Sequence, residues 1–555
     1  MSSNWIPFDH PLEQHAKYAY ILYYSRMLNI DPILAHYLFH HGFNNEEKLI
    51  HFFMPDIRTD LHHPFLLNDM KKAVIRIIKA LKQKENILIF GDYDVDGITA
   101  TSILYLALKK FTGKVSYRLP LRNEGYGLSI QSMQKVDDNI SLIVTVDNGT
   151  SSHEALQLAK EKGIDVIVTD HHEILGPYPN CHAFINPMRH DNTYPFTALS
   201  GAGVALKVVQ ALYEAAKREL DKDFMTYIEL AALGTMADIM PITDENRVIC
   251  KEGLKKMMIN PHPVFGKIFE ELYVKEIDSS TIGFLLGPIF NSCGRISDPN
   301  IAVDILTKEY IQGSEITSLI ALNAKRKEMT KQQFIIAEEQ IKKKQLYHDK
   351  VIVVHGDFHN GIIGIIASRI AEKYKKPAIV ITSSGTGSAR SVNGSGFSII
   401  NVINNCADHL IKHGGHQAAA GLSITSNEKN IEQFRKAIQI KARSEVFRHP
   451  HMTYVQKLNI NQFSRHLYSD IISMEPFGIN LPKPMFYCDT NLLSSFSLFG
   501  KNKEHLKFRY RKNEAVAFFK GALMLELANK KRIHTLYSPF DYRKGNFQIH
   551  AIRAE

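Results

Sequence analysis

Cysteine is scarce in this chain of 555 residues: there are five, Cys181, Cys250, Cys293, Cys406 and Cys488, and no two form a Cys-x-x-Cys pair. That excludes a disulfide framework and a zinc knuckle, and it fits a reducing cytoplasm. No apolar run approaches the roughly 18 residues that cross a bilayer, so no membrane partner is expected. Residues 1–15 show neither the basic start nor the apolar core of a secretory signal. Internal repeats are missing too, which excludes a solenoid.

What is present describes a large folded protein. Apolar residues make up 45% and charged residues 22% of the chain, the proportions of a soluble globular protein. The length exceeds one ordinary core, so two to four domains are expected. A formal net charge of +10 favours a polyanionic partner.

The densest chemistry lies in Gly91-Asp92-Tyr93-Asp94-Val95-Asp96-Gly97. The apolar run Ile87–Phe90 before it reads as a buried strand, and Ile98–Lys109 after it as a helix. Three carboxylates crowded at the carboxyl end of a strand repel one another, and a divalent cation relieves the repulsion. Oxygen-rich sites of this kind suit Mg or Mn. The competing reading is a polar turn that caps the helix, since Asp and Gly favour both.

The strand–loop–helix pattern then repeats. Ser141–Val146 ends in Asp147-Asn148-Gly149, and Asp165–Thr169 ends in Asp170-His171-His172. Such alternation predicts a mainly parallel sheet with these loops along its ligand-binding edge. A helical run from Tyr227 to Met240 carries Asp238 near its end, in an apolar setting. Each residue alone could be a turn, a cap or a solvated side chain. Separate elements all delivering Asp or His to one edge point to a metal centre.

These motifs, Gly91–Gly97, Val146–Gly149, Asp170–His172 and Ala237–Pro241 in that order, resemble the DHH phosphoesterase family, and within it the branch of bacterial single-strand-specific exonucleases. Leu199–Val204, Asn291–Arg295 and Met474–Gly478 extend the resemblance, which runs from about residue 55 to the C-terminus. One segment departs from the family pattern: after Gly478 the family continues Gly-Asn-Pro, where this chain has Ile479-Asn480-Leu481-Pro482.

Downstream, Asp304 to Leu346 reads as a long amphipathic connector. A second α/β region follows, with small-residue loops at Ser383–Ser391 and His413–Gly421. Glycine-rich turns let backbone N–H groups approach phosphate, and arginine clamps phosphate bidentately. Arg369, Arg390 and His416 therefore suggest a phosphate-binding face. The region resembles the DHH-associated domain, whose Gly-Gly-His turn is implied to face the metal centre. From about Met452, short alternating segments predict a small β-barrel. Between Lys501 and Gly545, 12 Lys and Arg stand against 4 Asp and Glu, with Phe508, Tyr510, Phe518, Phe519, Tyr537, Phe540 and Tyr542 interleaved. An OB-fold uses that composition on single strands, although at least half of these aromatics are expected in the core.

The expected fold is thus α/β: an N-terminal helical cap (1–75), a parallel-sheet DHH domain (76–303), a connector helix (304–346), a smaller α/β DHH-associated domain (347–450) and a C-terminal OB-fold barrel (451–555). Given the resemblance, Asp94, Asp96, Asp147, His171 and Asp238 are the expected ligands of two Mn or Mg ions, with Asp147 bridging and Asp92 auxiliary. Asp170 is expected to orient His171, and His172 to meet the phosphate. His416, Arg390, Arg369, Ser391, Gly415, Arg295 and Asn291 are expected on the nucleic acid. The implied activity is 5′→3′ hydrolysis of single-stranded DNA to 5′-mononucleotides in repair and recombination, by a monomer fed by a helicase and a single-strand-binding protein. The alternative is a phosphodiesterase of short oligonucleotides or cyclic dinucleotides, against which the basic C-terminal region argues. A pyrophosphatase relative would carry a His where Phe90 stands. A non-catalytic relative would have lost motif carboxylates, and none is missing.

Overall fold

The computed structural model describes all residues except 1–4, 9–11, 13–14, 112–113, 126, 491–494, 511–512, 529, 531, 542–544 and 555. Tyr126, Tyr542 and the side chain of Tyr510 therefore lie outside the described residues. The chain divides into two compact units. One comprises residues 61–240 and 244–450, the other residues 1–60, 241–243 and 451–555.

The larger unit is built on two sheets. The first has five parallel strands, β1 (Asn86–Phe90), β2 (Lys114–Arg118), β3 (Ile140–Val146), β4 (Asp165–Thr169) and β5 (Ala183–Ile185), in the order β2-β1-β3-β4-β5. The apolar strands are buried on both sides, as parallel sheets require. Leu88, Phe90, Ile143, Val166 and Val168 face one core with Leu128, Met133 and Leu156. The opposite face is covered by α1 (Val95–Lys109) and α2 (Gly201–Ala215), and α3 (Lys222–Ala237) packs against both of these helices. The register pairs Phe90 with Thr145 and Val146 with Thr169, so the three loops that follow leave one edge of the sheet together.

The connector is shorter than expected. Asn300–Thr307 is a separate helix after α4 (Gly287–Ile296), and the long helix, α5, spans Gly313–Lys343. The break follows from a cap: Gln312 and Glu315 form a capping box at the start of α5, and Lys308 pairs with Glu315. Beyond it, β6 (Ile352–Gly356), α6 (Ile363–Tyr374), β7 (Ala378–Thr382), β8 (Thr386–Arg390), β9 (Lys412–Gly415) and β10 (Ala419–Ser423) form the second sheet, ordered β9-β10-β8-β7-β6. Alternate residues of β6 and β7 serve two cores: Val353, Ile379 and Ile381 on one side, Ile352, Val354 and Val380 with α5 and α6 on the other.

In the smaller unit, β11 (Phe486–Thr490), β12 (Ser495–Phe499), β13 (His505–Tyr510), β14 (Asn513–Ala517), β15 (Ile533–Asp541) and β16 (Asn546–Ala554) form a sheet in the order β11-β15-β16-β14-β13-β12, antiparallel except at β14–β16. Phe486, Phe508, Tyr537 and Phe547 are its core. Ile21, Leu34, Leu38, Leu49 and Phe52, from the N-terminal helices, complete that same core. Residues 1–60 therefore belong with this sheet and not with the first one, where a cap was expected. Trp5–Pro7 pairs in parallel with Met452–Tyr454, which fixes the association. Among the described residues no helix is long and apolar enough to cross a membrane.

Candidate metal centre

Every expected ligand reaches the carboxyl edge of the first sheet. Asp92 leaves β1, and Asp94 caps α1, accepting from Gly97 N at 3.1 Å. Asp96 lies in the first turn of α1 and is turned toward α2, whose Gly201 and Ala202 amides donate to its two oxygens at 2.6 and 2.9 Å. Asp147 follows β3 in the left-handed region, φ 62°, a conformation Asp tolerates through its short polar side chain. Asp238 is the C-cap of α3, with its side chain one-third exposed. His171 joins them: its Nε2 lies 3.1 Å from Asp147 Oδ1, 3.7 Å from Asp96 Oδ2 and 3.8 Å from Asp238 Oδ2. Three donor groups result among the described residues, Asp92–Asp94–Asp147, Asp96–His171–Asp238 and Asp147–His171–His172, the last sharing Asp147 with the first and His171 with the second; the atoms of each lie within 4.8 Å of one another.

The electrostatics ask for a cation. Asp92, Asp96 and Asp147 are pushed above the usual carboxylate range, by burial first and by neighbouring charges second: Asp94 acts on Asp92, and Asp96 on Asp147. Asp238 is pushed up to about 8, by burial and then by Asp96 and Asp94. Asp92 Oδ1 is buried with no hydrogen-bond partner among the described residues. Oxygen donors crowded past electrostatic comfort, with one imidazole, fit hard divalent ions of the Mg or Mn kind. Glycines make the room for these carboxylates. A Cβ on Gly234 of α3 would stand 2.6 Å from Asp96 Oδ1, and one on Gly201 of α2 would stand 2.6 Å from Asp147 Oδ1.

Asp170 departs from its expected role. Its carboxylate accepts from His172 Nδ1 at 2.7 Å and from the backbone amides of His171, His172 and Thr150. It therefore orients the ring of His172, and it positions His171 only through the main chain. Burial alone would raise Asp170, but the His172 hydrogen bond and charge hold it well below the carboxylate range. Burial opposes charge on His172 as well, yet Asp170 pushes it up to about 9.

A cationic face adjoins this edge. Arg295, near the end of α4, donates to Gly361 O at 3.3 Å. Burial, then Arg122 and Arg326, push it down to about 10. Arg390 of β8 donates to Ser388 Oγ at 3.1 Å and to Ala389 O at 2.8 Å, close against Gly364 in the first turn of α6. Arg369 of α6 neighbours Arg326 of α5, which Asn323 pins at 2.9 and 3.1 Å. Arg295, Arg326, Arg369 and Arg390 are all depressed chiefly by burial. By contrast Arg76, paired with Glu85 and Asp165, is raised. Among the described residues none of these four forms an ion pair with a carboxylate, although Asp94 acts on Arg295 and Glu372 on the exposed Arg369, and such arginines suit an anionic ligand.

Matches to known proteins agree with this geometry. The DHH family N-terminal domain matches residues 86–235, the DHHA1 domain residues 348–443 and the RecJ OB domain residues 456–545. The single-stranded-DNA-specific exonuclease RecJ of Haemophilus influenzae is 32% identical over 476 residues, covering 80% of this chain and 82% of that protein. The chain belongs to the RecJ family. The Bacillus subtilis RecJ is 31% identical over 528 residues, 92% of this chain and 66% of that protein. RecJ of Thermus thermophilus in complex with Mn2+ has the same fold, with a TM-score of 0.81 and 24% identity over 100% of this chain and 80% of that one. Its complex with Mg2+ gives 0.75 and 23%, over 100% and 78%.

Against this RecJ scaffold the remaining expected residues sort clearly. His416, in the turn after β9 and Gly415, faces Glu173 beside His172, Nδ1 to Oε2 3.8 Å. The Gly-Gly-His turn thus lies against the residue that follows His172. Asn291 lies one turn before Arg295 on α4 and shares its face. Ser391 is buried and donates to Phe397 O at 2.8 Å, so it holds the loop, while Ser388 stands with Arg390 on the exposed side of β8. Sequence reasoning missed Arg122, stacked 4.3 Å over the Tyr93 ring and bonded to Gly294 O. Its signal was present: Arg122 follows β2 at the same sheet edge as the Asp motifs.

Proposed function

We propose that the protein is a metal-dependent exonuclease of single-stranded DNA. One observation carries the reading: in a chain of the RecJ family, a carboxylate–histidine edge that calls for divalent cations adjoins four arginines that, among the described residues, form no ion pair with a carboxylate. Two Mn or Mg ions held by Asp94, Asp96, Asp147, His171 and Asp238, with Asp92 auxiliary, would polarise the scissile phosphate and acidify the attacking water. Within the chain, His172 is the positively charged donor to a phosphate oxygen, held through Nδ1 by Asp170. Arg295, Arg390 and Arg369, with Asn291 and His416, bind the flanking phosphates and keep one strand in line with the metal edge. Ser391 and Gly415 support that face.

The reading includes digestion from the 5′ end to 5′-mononucleotides in repair and recombination, by a cytoplasmic monomer supplied by a helicase and a single-strand-binding protein. Residues 76–303 form the catalytic domain, 347–450 the phosphate-gripping domain and 451–555 the strand-binding domain. The test offers three Mn-supplemented substrates: a 5′-labelled single strand, the blunt duplex of the same sequence, and a cyclic dinucleotide. Single-strand digestion at a rate at least tenfold above the other two supports the proposal. Rapid cleavage of the dinucleotide with the single strand left intact would transfer it to the small-substrate class.

A further inference from the structure

Residue Ile239 directly follows the metal-edge Asp238, and its backbone is left-handed, φ 59°. It is the sole β-branched residue in that region among the described residues; the others, glycine aside, are Asn, Asp, Lys, Gln, Tyr and Phe. Branching at Cβ makes this conformation unfavourable, so such a residue marks either a fold that needs its side chain or a function that does. The fold does not need it. The turn is a Schellman end to α3: Met240 N bonds to Thr235 O at 3.1 Å and Ile239 N to Met236 O at 3.3 Å. Glycine is the residue such an end favours, and the isoleucine side chain is 67% exposed, so it adds little to the core. What Ile239 supplies beyond glycine is an exposed apolar surface one residue from Asp238, a proposed metal ligand.

We infer that Ile239 is a substrate-contacting residue, whose side chain packs against the nucleobase next to the scissile phosphate and seats that nucleotide at the metal edge. Phosphates are gripped by charge, which does not locate a base. An apolar wall does so without reading sequence, because every base has an apolar face. The strain is the consequence of placing that wall on the residue after Asp238.

The inference rests on the proposed nuclease activity, and its test separates the two. Ile239→Gly and Ile239→Asn both suit a left-handed turn, so their melting temperatures should be at or above that of the wild type. Their kcat/KM on single-stranded DNA should fall about tenfold. Ile239→Val should stay within about twofold of the wild type. On a strand whose terminal nucleotides are abasic, wild type and the Gly variant should be equal, a readout that a merely structural role would not move. Variants as active as an active wild type, an equal loss on both substrates, or a lowered melting temperature would each overturn this inference alone. A wild type that leaves single strands intact would overturn the nuclease reading, and this one with it.

Discussion

At the scale of single residues, burial sets the chemistry. Asp170 is the clearest example, since its charge is kept by His172 and in turn keeps His172 charged. Asp170→Asn preserves the shape and removes the charge, and kcat should fall about 10- to 100-fold with the fold intact, measured with circular dichroism beside the assay. A buried imidazole outside the centre contributes to the pH dependence of stability. His262 is 6% exposed, and burial, then the Lys256 charge, push it down to about 4. An imidazole depressed in the folded state is protonated first in the unfolded state, so its contribution is present above about pH 6.5 and lost as pH falls toward 4. His262→Asn keeps a capping residue and removes the titration. Between pH 7 and pH 5 it should lose about 2 kcal/mol less stability than the wild type, read from denaturant midpoints at the two pH values. The Asp edge was legible because each carboxylate follows an apolar strand, and strand ends converge in a parallel sheet. The partner of Asp170 was not, because two adjacent imidazoles lie within its reach and only loop geometry chooses between them.

At the scale of elements, the centre is clamped by two helices that approach through glycine. The first turn of α2 grips Asp96 with two amides, and Gly234 of α3 lets Asp96 and Thr99 lie against the helix backbone. Alanine at 234 favours a helix by roughly 1 kcal/mol, but here its methyl group would stand 2.6 Å from Asp96 Oδ1. Gly234→Ala should therefore weaken Mn binding by about 10- to 100-fold, measured by titration calorimetry on metal-free protein. Unchanged affinity would remove the clamp from the account. Sequence spacing could place Leu199–Val204 among family motifs but could not say that its amides serve Asp96, because that contact joins positions more than a hundred residues apart. The same limit hid Arg326, whose neighbour Arg369 is known only from the fold.

At the scale of the whole molecule, the N-terminal helices and the C-terminal sheet are one folding unit. Amphipathic helices declare that they cover an apolar surface without declaring which one, so residues 1–60 read equally well as a cap on the first sheet. Removing them uncovers the partners of Ile21, Leu34, Leu38 and Phe52, each worth about 1.5–3 kcal/mol when buried. A chain lacking residues 1–60 should therefore lose its C-terminal sheet to limited proteolysis while residues 61–450 persist as a resistant, Mn-binding core. Protection of residues 451–555 in that chain would contradict the shared core.

The edge with Asp94, Asp96, Asp147, His171 and Asp238 is proposed as the metal centre that cuts single-stranded DNA. Its most direct test is release of nucleotides from a labelled single strand by metal-free protein as Mn2+ is added, with Asp147→Asn alongside. Asparagine also tolerates the left-handed backbone at 147, so the variant should fold normally. Activity should appear only with Mn2+ in the wild type and fall on the order of a thousandfold in the variant. Full activity in Asp147→Asn, or activity indifferent to Mn2+ and Mg2+ in the wild type, would contradict it.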